Sequence, residues 1–123
     1  MSEKLRQRVQ TIVDRATISD EKGVKRVTRR VLAKAGVYTF MPPAQAYGKA
    51  GISDIIAIKY GKAVFIETKY KYNKPSENQL RFGQEVEDHG AVFVVINERN
   101  ICARLVSTIV YFETGVYEGE RQL

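Results

Sequence analysis

The sequence predicts an α/β fold, a mixed β-sheet flanked by helices, and three features carry that prediction. Apolar runs at 53–59 and 62–69 flank Tyr60-Gly61 and read as a β-hairpin. A helical stretch from about 75 to 89 separates the second of these strands from a continuous apolar run at 91–97, which permits a parallel crossover. Two amphipathic helical patterns precede the sheet and one follows it, so the order is α-α-β-β-β-α-β-α.

In chain order, Leu5, Val9, Ile12, Val13 and Ala16 give residues 3–16 a narrow helical stripe, suited to packing on the domain or on a second subunit. Asp20 is the expected N-cap of a second helix from Glu21 to Ala35, which Gly36 ends in a left-handed conformation. That helix separates an apolar stripe (Val24, Val27, Thr28, Val31, Leu32, Ala35), extended by Glu21, from a basic one of Lys22, Lys25, Arg26, Arg29 and Arg30. Residues 37–41 form a strand stopped by Pro42-Pro43, and a loop with Gly48 and Gly51 leads into Asp54. The hairpin is followed by the basic, aromatic stretch KYKYNK (69–74) and by a helix opening at Pro75-Ser76 and closing at His89-Gly90. Ile101, Leu105, Ile109 and Phe112 make 100–112 a last helix, and the polar residues after Thr114 read as a loose tail.

The length of 123 residues fits one domain: a helical extension (1–19), a core (20–112) and a tail (113–123). A net charge of +6 favours an anionic partner, with nucleic acid first. Cys102 is the single cysteine, which excludes a disulfide framework and a cysteine-based zinc site. The start MSEKLRQR lacks the apolar core of a signal peptide, and the longest apolar run, AVFVVI, is too short to span a membrane. A cytoplasmic, intracellular protein is the expectation.

The hairpin register is the most informative feature. With Tyr60-Gly61 as the loop, Lys59 pairs with Lys62 and Asp54 falls opposite Glu67, with Lys69 on the same face. Two directly opposed carboxylates repel. A hard divalent cation between them, Mg²⁺ or Mn²⁺, removes that conflict. The alternative is a salt-bridged strand pair in which Lys69 simply neutralises Glu67.

These elements and charges together resemble the VRR-NUC (virus-type replication-repair nuclease) domain of the PD-(D/E)XK nuclease superfamily. The resemblance runs from Glu21 to about Asn97. It rests on Glu21 opening the first core helix, the turn Gly51-Ile52-Ser53-Asp54, Glu67-Thr68-Lys69 on a strand, Gln79 with Phe82, and Gly90 before AVFVVI. Ser53 stands where the family motif has proline.

The resemblance implies a restriction-endonuclease-like core and an Mg²⁺- or Mn²⁺-dependent endonuclease acting on DNA. Asp54, Glu67 and the Thr68 backbone carbonyl would hold the metal, and Lys69 would orient water and stabilise transition-state charge. Glu21 would be a carboxylate further from the metal or on a second one, or else only a favourable charge at a helix N-terminus. Gln79 would contact the lysine or the nucleic acid, or else complete an S-x-x-Q capping box with Ser76. Lys22, Lys25, Arg26, Arg29, Lys49, Tyr70, Lys71, Tyr72 and Lys74 would meet the nucleic acid, the competing reading for each being a solvated surface. The family further implies branched DNA such as a four-way (Holliday) junction, a homodimer, a role in replication, repair or recombination, and by its name a phage setting. A non-catalytic nucleic-acid-binding module and a restriction-type endonuclease are the alternatives.

Overall fold

The computed structural model describes residues 2–43 and 48–122. Met1, residues 44–47 of the predicted loop, and Leu123 lie outside the described residues. The elements are α1 (Ser2–Arg15), α2 (Glu21–Lys34), β1 (Tyr38–Phe40), β2 (Ile55–Lys59), β3 (Lys62–Thr68), α3 (Glu77–Asp88), β4 (Val92–Ile96) and α4 (Ile101–Thr114). The sheet has the order β1-β2-β3-β4, antiparallel except for the parallel pair β3–β4. The predicted mixed sheet and element order are both present.

The register follows from the turn. Tyr60 and Gly61 both take positive φ, 54° and 74°, the requirement of a type I′ hairpin turn. Lys59 pairs with Lys62, and the ladder runs to Ile55 opposite Ile66, which leaves Asp54 and Glu67 as the next positions out. Strand alternation then divides the sheet. Ile55, Ala57, Val64, Ile66, Val92, Val94 and Ile96 join the main core with α2, α4 and the stripe of α1. On the opposite face, Phe65, Phe93 and Val95 form a smaller core with Val86 and Phe82 of α3. Gly83 lets α3 close on β4, because a Cβ there would run into the Phe93 ring.

Among the described residues, α3 covers that second face beside β3 and β4. Toward β1 and β2 the face carries Tyr38 and Phe40, opposite Ile58 and Ile56; Tyr38, Phe40 and Ile58 are exposed.

The predicted caps form: Asp20 accepts from the Gly23 N–H, Ser76 accepts from the Gln79 N–H, and Gly36 is left-handed with φ 75°. His89 caps α3, its ring nitrogen against the Glu85 carbonyl. The α1 stripe packs on this chain's own core.

The expectation of a loose tail is wrong. Arg121 pairs with Glu87 at 2.8 Å, and the Arg121 carbonyl accepts from the Val95 N–H at 2.7 Å. Arg104, which is 6% exposed on α4, donates to the Val95 and Arg121 carbonyls. Tyr117 packs against the main core, its hydroxyl donating to the Arg104 carbonyl. The physical reason is that β4 is an edge strand whose backbone groups need partners, and the tail supplies them. No helix among the described residues is long and apolar enough to cross a membrane.

A chain ended at Gly119 loses these edge bonds. Denaturant unfolding should show it less stable by about 1–3 kcal/mol, the usual cost of leaving buried polar groups unpaired.

Candidate active site at the end of the β2–β3 hairpin

The two acids meet where the hairpin opens. Glu67 is 1% exposed near the end of β3, on the α3 side of the sheet. Its Oε2 accepts from Gln79 Nε2 at 2.7 Å and lies 3.5 Å from Lys69 Nζ. Its Oε1 is buried and makes no hydrogen bond. Asp54, half-buried just before β2, is fixed through Oδ2, which accepts from the Thr68 N–H at 2.8 Å and the Thr68 hydroxyl at 2.9 Å. Its Oδ1 lies 3.7 Å from Lys25 Nζ.

Burial pushes the Glu67 carboxyl up to about 8, the charge of Asp54 adds to that rise, and Lys69 offsets only part of it. Lys69 is within ion-pair range of Glu67, yet it offsets only part of the cost of burying that carboxyl beside Asp54.

Gln79 closes the expected capping box, and its free amide group meets Glu67 where the resemblance implied the lysine or the nucleic acid. Its Oε1 accepts from the Ser76 N–H at 2.8 Å to close the capping box, while its Nε2 holds Glu67. Gly51 presses the preceding turn onto the same helix start. With φ 77°, it sits where a Cβ would strike the Asn78 carbonyl and the Gln79 nitrogen. A cleft of about 440 Å³ opens here, lined by Lys25, Ser53, Asp54, Ser76, Asn78 and Gln79.

The remaining predicted residues are distributed less simply. Lys69 joins Glu67, and Lys25 leaves the solvated stripe to sit beside Asp54. Arg29 is half-buried, donating to Thr39 Oγ1 at 3.4 Å, whereas Lys22 and Arg26 are exposed. The basic stripe of α2 is therefore split between the site's edge and open surface. Glu21 lies one turn before Lys25, half-buried, but does not complete a metal cluster. Among the described residues no group of three or more His, Cys, Asp or Glu could hold an ion.

Lys49 is ion-paired with Glu85 at 2.9 Å and does not line the cleft. Tyr70 is half-buried against the main core, while Lys71, Tyr72 and Lys74 are exposed. Ser53, Asn78 and the Lys25–Asp54 contact were missed as parts of the site. For Asn78, its place in the first turn of α3 beside Gln79 was the available signal.

The residues present fit a hard cation. Two carboxylates converge, and the Glu67 Oε1 lone pairs are buried with nothing to accept. The Thr68 N–H points toward Asp54, and a strand residue's N–H and C=O share one edge, which turns its carbonyl toward the same place.

No family model matches the sequence, and no curated protein matches it. Among solved structures, one described as "VRR_NUC domain" is similar over 68% of this chain and 91% of its own length, with a TM-score of 0.58 at 24% identity. The chain has the VRR-NUC fold. Asp54 immediately precedes β2, Glu67 lies on β3, Lys69 follows that strand and Gln79 lies in the first turn of α3.

The Glu67 shift has a measurable sign. An unfolded Glu67 titrates at its ordinary value near 4.5, while the folded one keeps its proton up to about 8. The folded state therefore binds more protons between those values, so stability falls as pH rises through them. In chelating buffer, the wild type should lose roughly 3–5 kcal/mol relative to Glu67→Gln between pH 4.5 and pH 8.5. Denaturant titrations of both proteins across that range check it, and parallel pH profiles would refute it.

Proposed function

We propose that this chain is a metal-dependent endodeoxyribonuclease that hydrolyses phosphodiesters in structured DNA. The observation that carries this reading is the Asp54–Glu67 pair, in which Glu67 is buried with an unsatisfied oxygen and Lys69 alongside, on a VRR-NUC fold. The excess of positive charge supports a polyanionic substrate.

Each side chain has a separable task. Thr68 fixes the orientation of Asp54 through two donated hydrogen bonds, and Gln79 fixes Glu67 through one. Both carboxylates, with the Thr68 carbonyl, would hold Mg²⁺ or Mn²⁺. That ion supplies charge neutralisation at the phosphodiester and acidifies water. Lys69 places a fixed cation beside the pair, where it would orient a water by hydrogen bonding and offset the negative charge on the phosphoryl oxygens during attack. Lys25, lining the cleft next to Asp54, faces the same space and neutralises a phosphate there.

Branched DNA, four-way junctions in particular, is the substrate class this reading favours, cut by a homodimer with paired sites during replication, repair or recombination. The exposed apolar side chains Tyr38, Phe40 and Ile58 at the open end of the sheet support self-association. A cytoplasmic, phage-related setting belongs to the same reading. The chain acts as one catalytic unit, with its N-terminal helix and tail as supports.

An end-labelled four-way junction, incubated with Mg²⁺ or Mn²⁺ beside a matched linear duplex, tests the activity. The junction should be cut at symmetric positions, and Glu67→Gln and Lys69→Met should each lose at least about 10²-fold in turnover. Cleavage that persists in Glu67→Gln would overturn the assignment. Tight, salt-sensitive binding without cleavage would favour the binding-module reading.

The self-association is tested by sedimentation. The wild type should sediment as a dimer, and Ile58→Glu, which places a charge on the open face, as a monomer; a monomeric wild type would refute it.

A further inference from the structure

A second cleft, of about 580 Å³, is lined in part by the segment that joins Lys69 to α3. It opens beyond the C-terminal ends of the parallel strands β3 and β4, the place where sheets of this kind gather ligands. The loop after β3 contributes Lys71, Tyr72 and Lys74, and the loop after β4 contributes Arg99. Leu80 and Val95 give the cleft an apolar floor. Among the described residues no acidic side chain lines it.

Tyr72 stands out because folding does not account for its position. It is 86% exposed, yet the turn that presents it is tightly specified. Lys71 takes a left-handed φ of 56°, which an L residue adopts only at a cost. The Lys71 N–H donates to Glu98 Oε1 at 2.9 Å, and the Asn73 N–H donates to the Tyr70 carbonyl at 3.2 Å. Arg99 backs the Tyr72 ring, with its guanidinium 5.4 Å from the ring centroid and also held by Glu98 at 3.3 Å. A strained, hydrogen-bonded turn thus holds an aromatic ring out in water, braced on one side by a cation.

An apolar floor, an open aromatic ring and a rim of cations match a nucleobase and its flanking phosphates. Lys71 follows Glu67 by four residues, so the cleft is within about 14 Å of the carboxylate pair along the chain. We propose that this cleft takes an unstacked nucleobase from the strand whose phosphodiester lies at Asp54 and Glu67, so that the substrate carries an unpaired nucleotide beside the cut. This rests on the nuclease reading above and narrows its substrate class.

The test is equilibrium binding in chelating buffer, where no cleavage is being read. Three DNA probes are compared: a duplex with one unpaired thymidine, the same duplex with an abasic spacer at that position, and the fully paired duplex. The wild type should bind the first roughly tenfold more tightly than the other two. Tyr72→Ala should abolish that preference, and Tyr72→Phe should keep it. Equal binding of all three probes by the wild type, or a preference that survives in Tyr72→Ala, would overturn the proposal. So would thymidine monophosphate competing as well as the bulged duplex, which would mark a site for free nucleotides. The two readings fail separately: a protein that cuts DNA without this preference loses only the base cleft, and one that shows the preference without cutting loses the nuclease reading.

Discussion

Burying a carboxyl group that keeps one oxygen without a partner is costly, and the sheet end is organised around that cost at Glu67. β3 carries Glu67 on the α3 face, so the residue points into a space closed by the first turn of that helix. Three groups bear on it: Asp54 raises the cost of ionising it, Lys69 lowers it, and Gln79 donates to one oxygen. Protonation is the default relief in the absence of a cation, which is why the group is pushed up to about 8. A divalent ion would relieve the same conflict while leaving both acids charged, so the conflict and the proposed chemistry have one origin.

The positions of the other parts follow from what must reach Glu67. Gln79 can reach it only if the first turn of α3 is set correctly, and the same side chain sets that turn by completing the capping box. Gly51 brings the 51–54 turn into contact with that helix start, so Asp54 and Gln79 share a backbone junction. The type I′ turn at Tyr60-Gly61 fixes the hairpin register, and a slip of one residue would carry Glu67 to the main core and leave Asp54 alone. A local turn at one end of the hairpin thereby sets the chemistry at the other.

Most of this was legible in the sequence because it follows from periodicity and turn chemistry. The hairpin register places Asp54 opposite Glu67 and Lys69 on the same face, and Asp20, Gly36 and Ser76 mark their caps. What could not be read depended on which surface each side chain meets. Helical spacing groups Lys22, Lys25, Arg26 and Arg29 together, but only packing reveals that Lys25 turns to Asp54 and Arg29 to β1. Tyr70 and Tyr72 look equivalent in KYKYNK, yet one packs on the core and the other stands in water. The tail misled because its composition is polar. Its order comes from backbone and guanidinium hydrogen bonds along the β4 edge, which hydropathy does not register. Gln79 was framed as cap or site residue, when an amide has both an acceptor and donors and can serve both.

The division of the sheet's two faces explains how so short a chain carries a polar centre without hollowing its core. Continuous apolar packing with α2, α4 and α1 lies on one face, where Ile55, Val64, Ile66 and Val94 are fully buried. The charged pair occupies the other face, at the sheet end where the smaller core of Phe65, Phe93 and Val95 gives way to the α3 cap. Because alternate strand residues serve alternate faces, Glu67 follows Ile66 without displacing it from the main core. Stability and site chemistry are thereby carried by neighbouring residues of one strand, coupled chiefly where α3 begins. Gln79 is the point of coupling, since one amide both closes the helix and holds the buried acid.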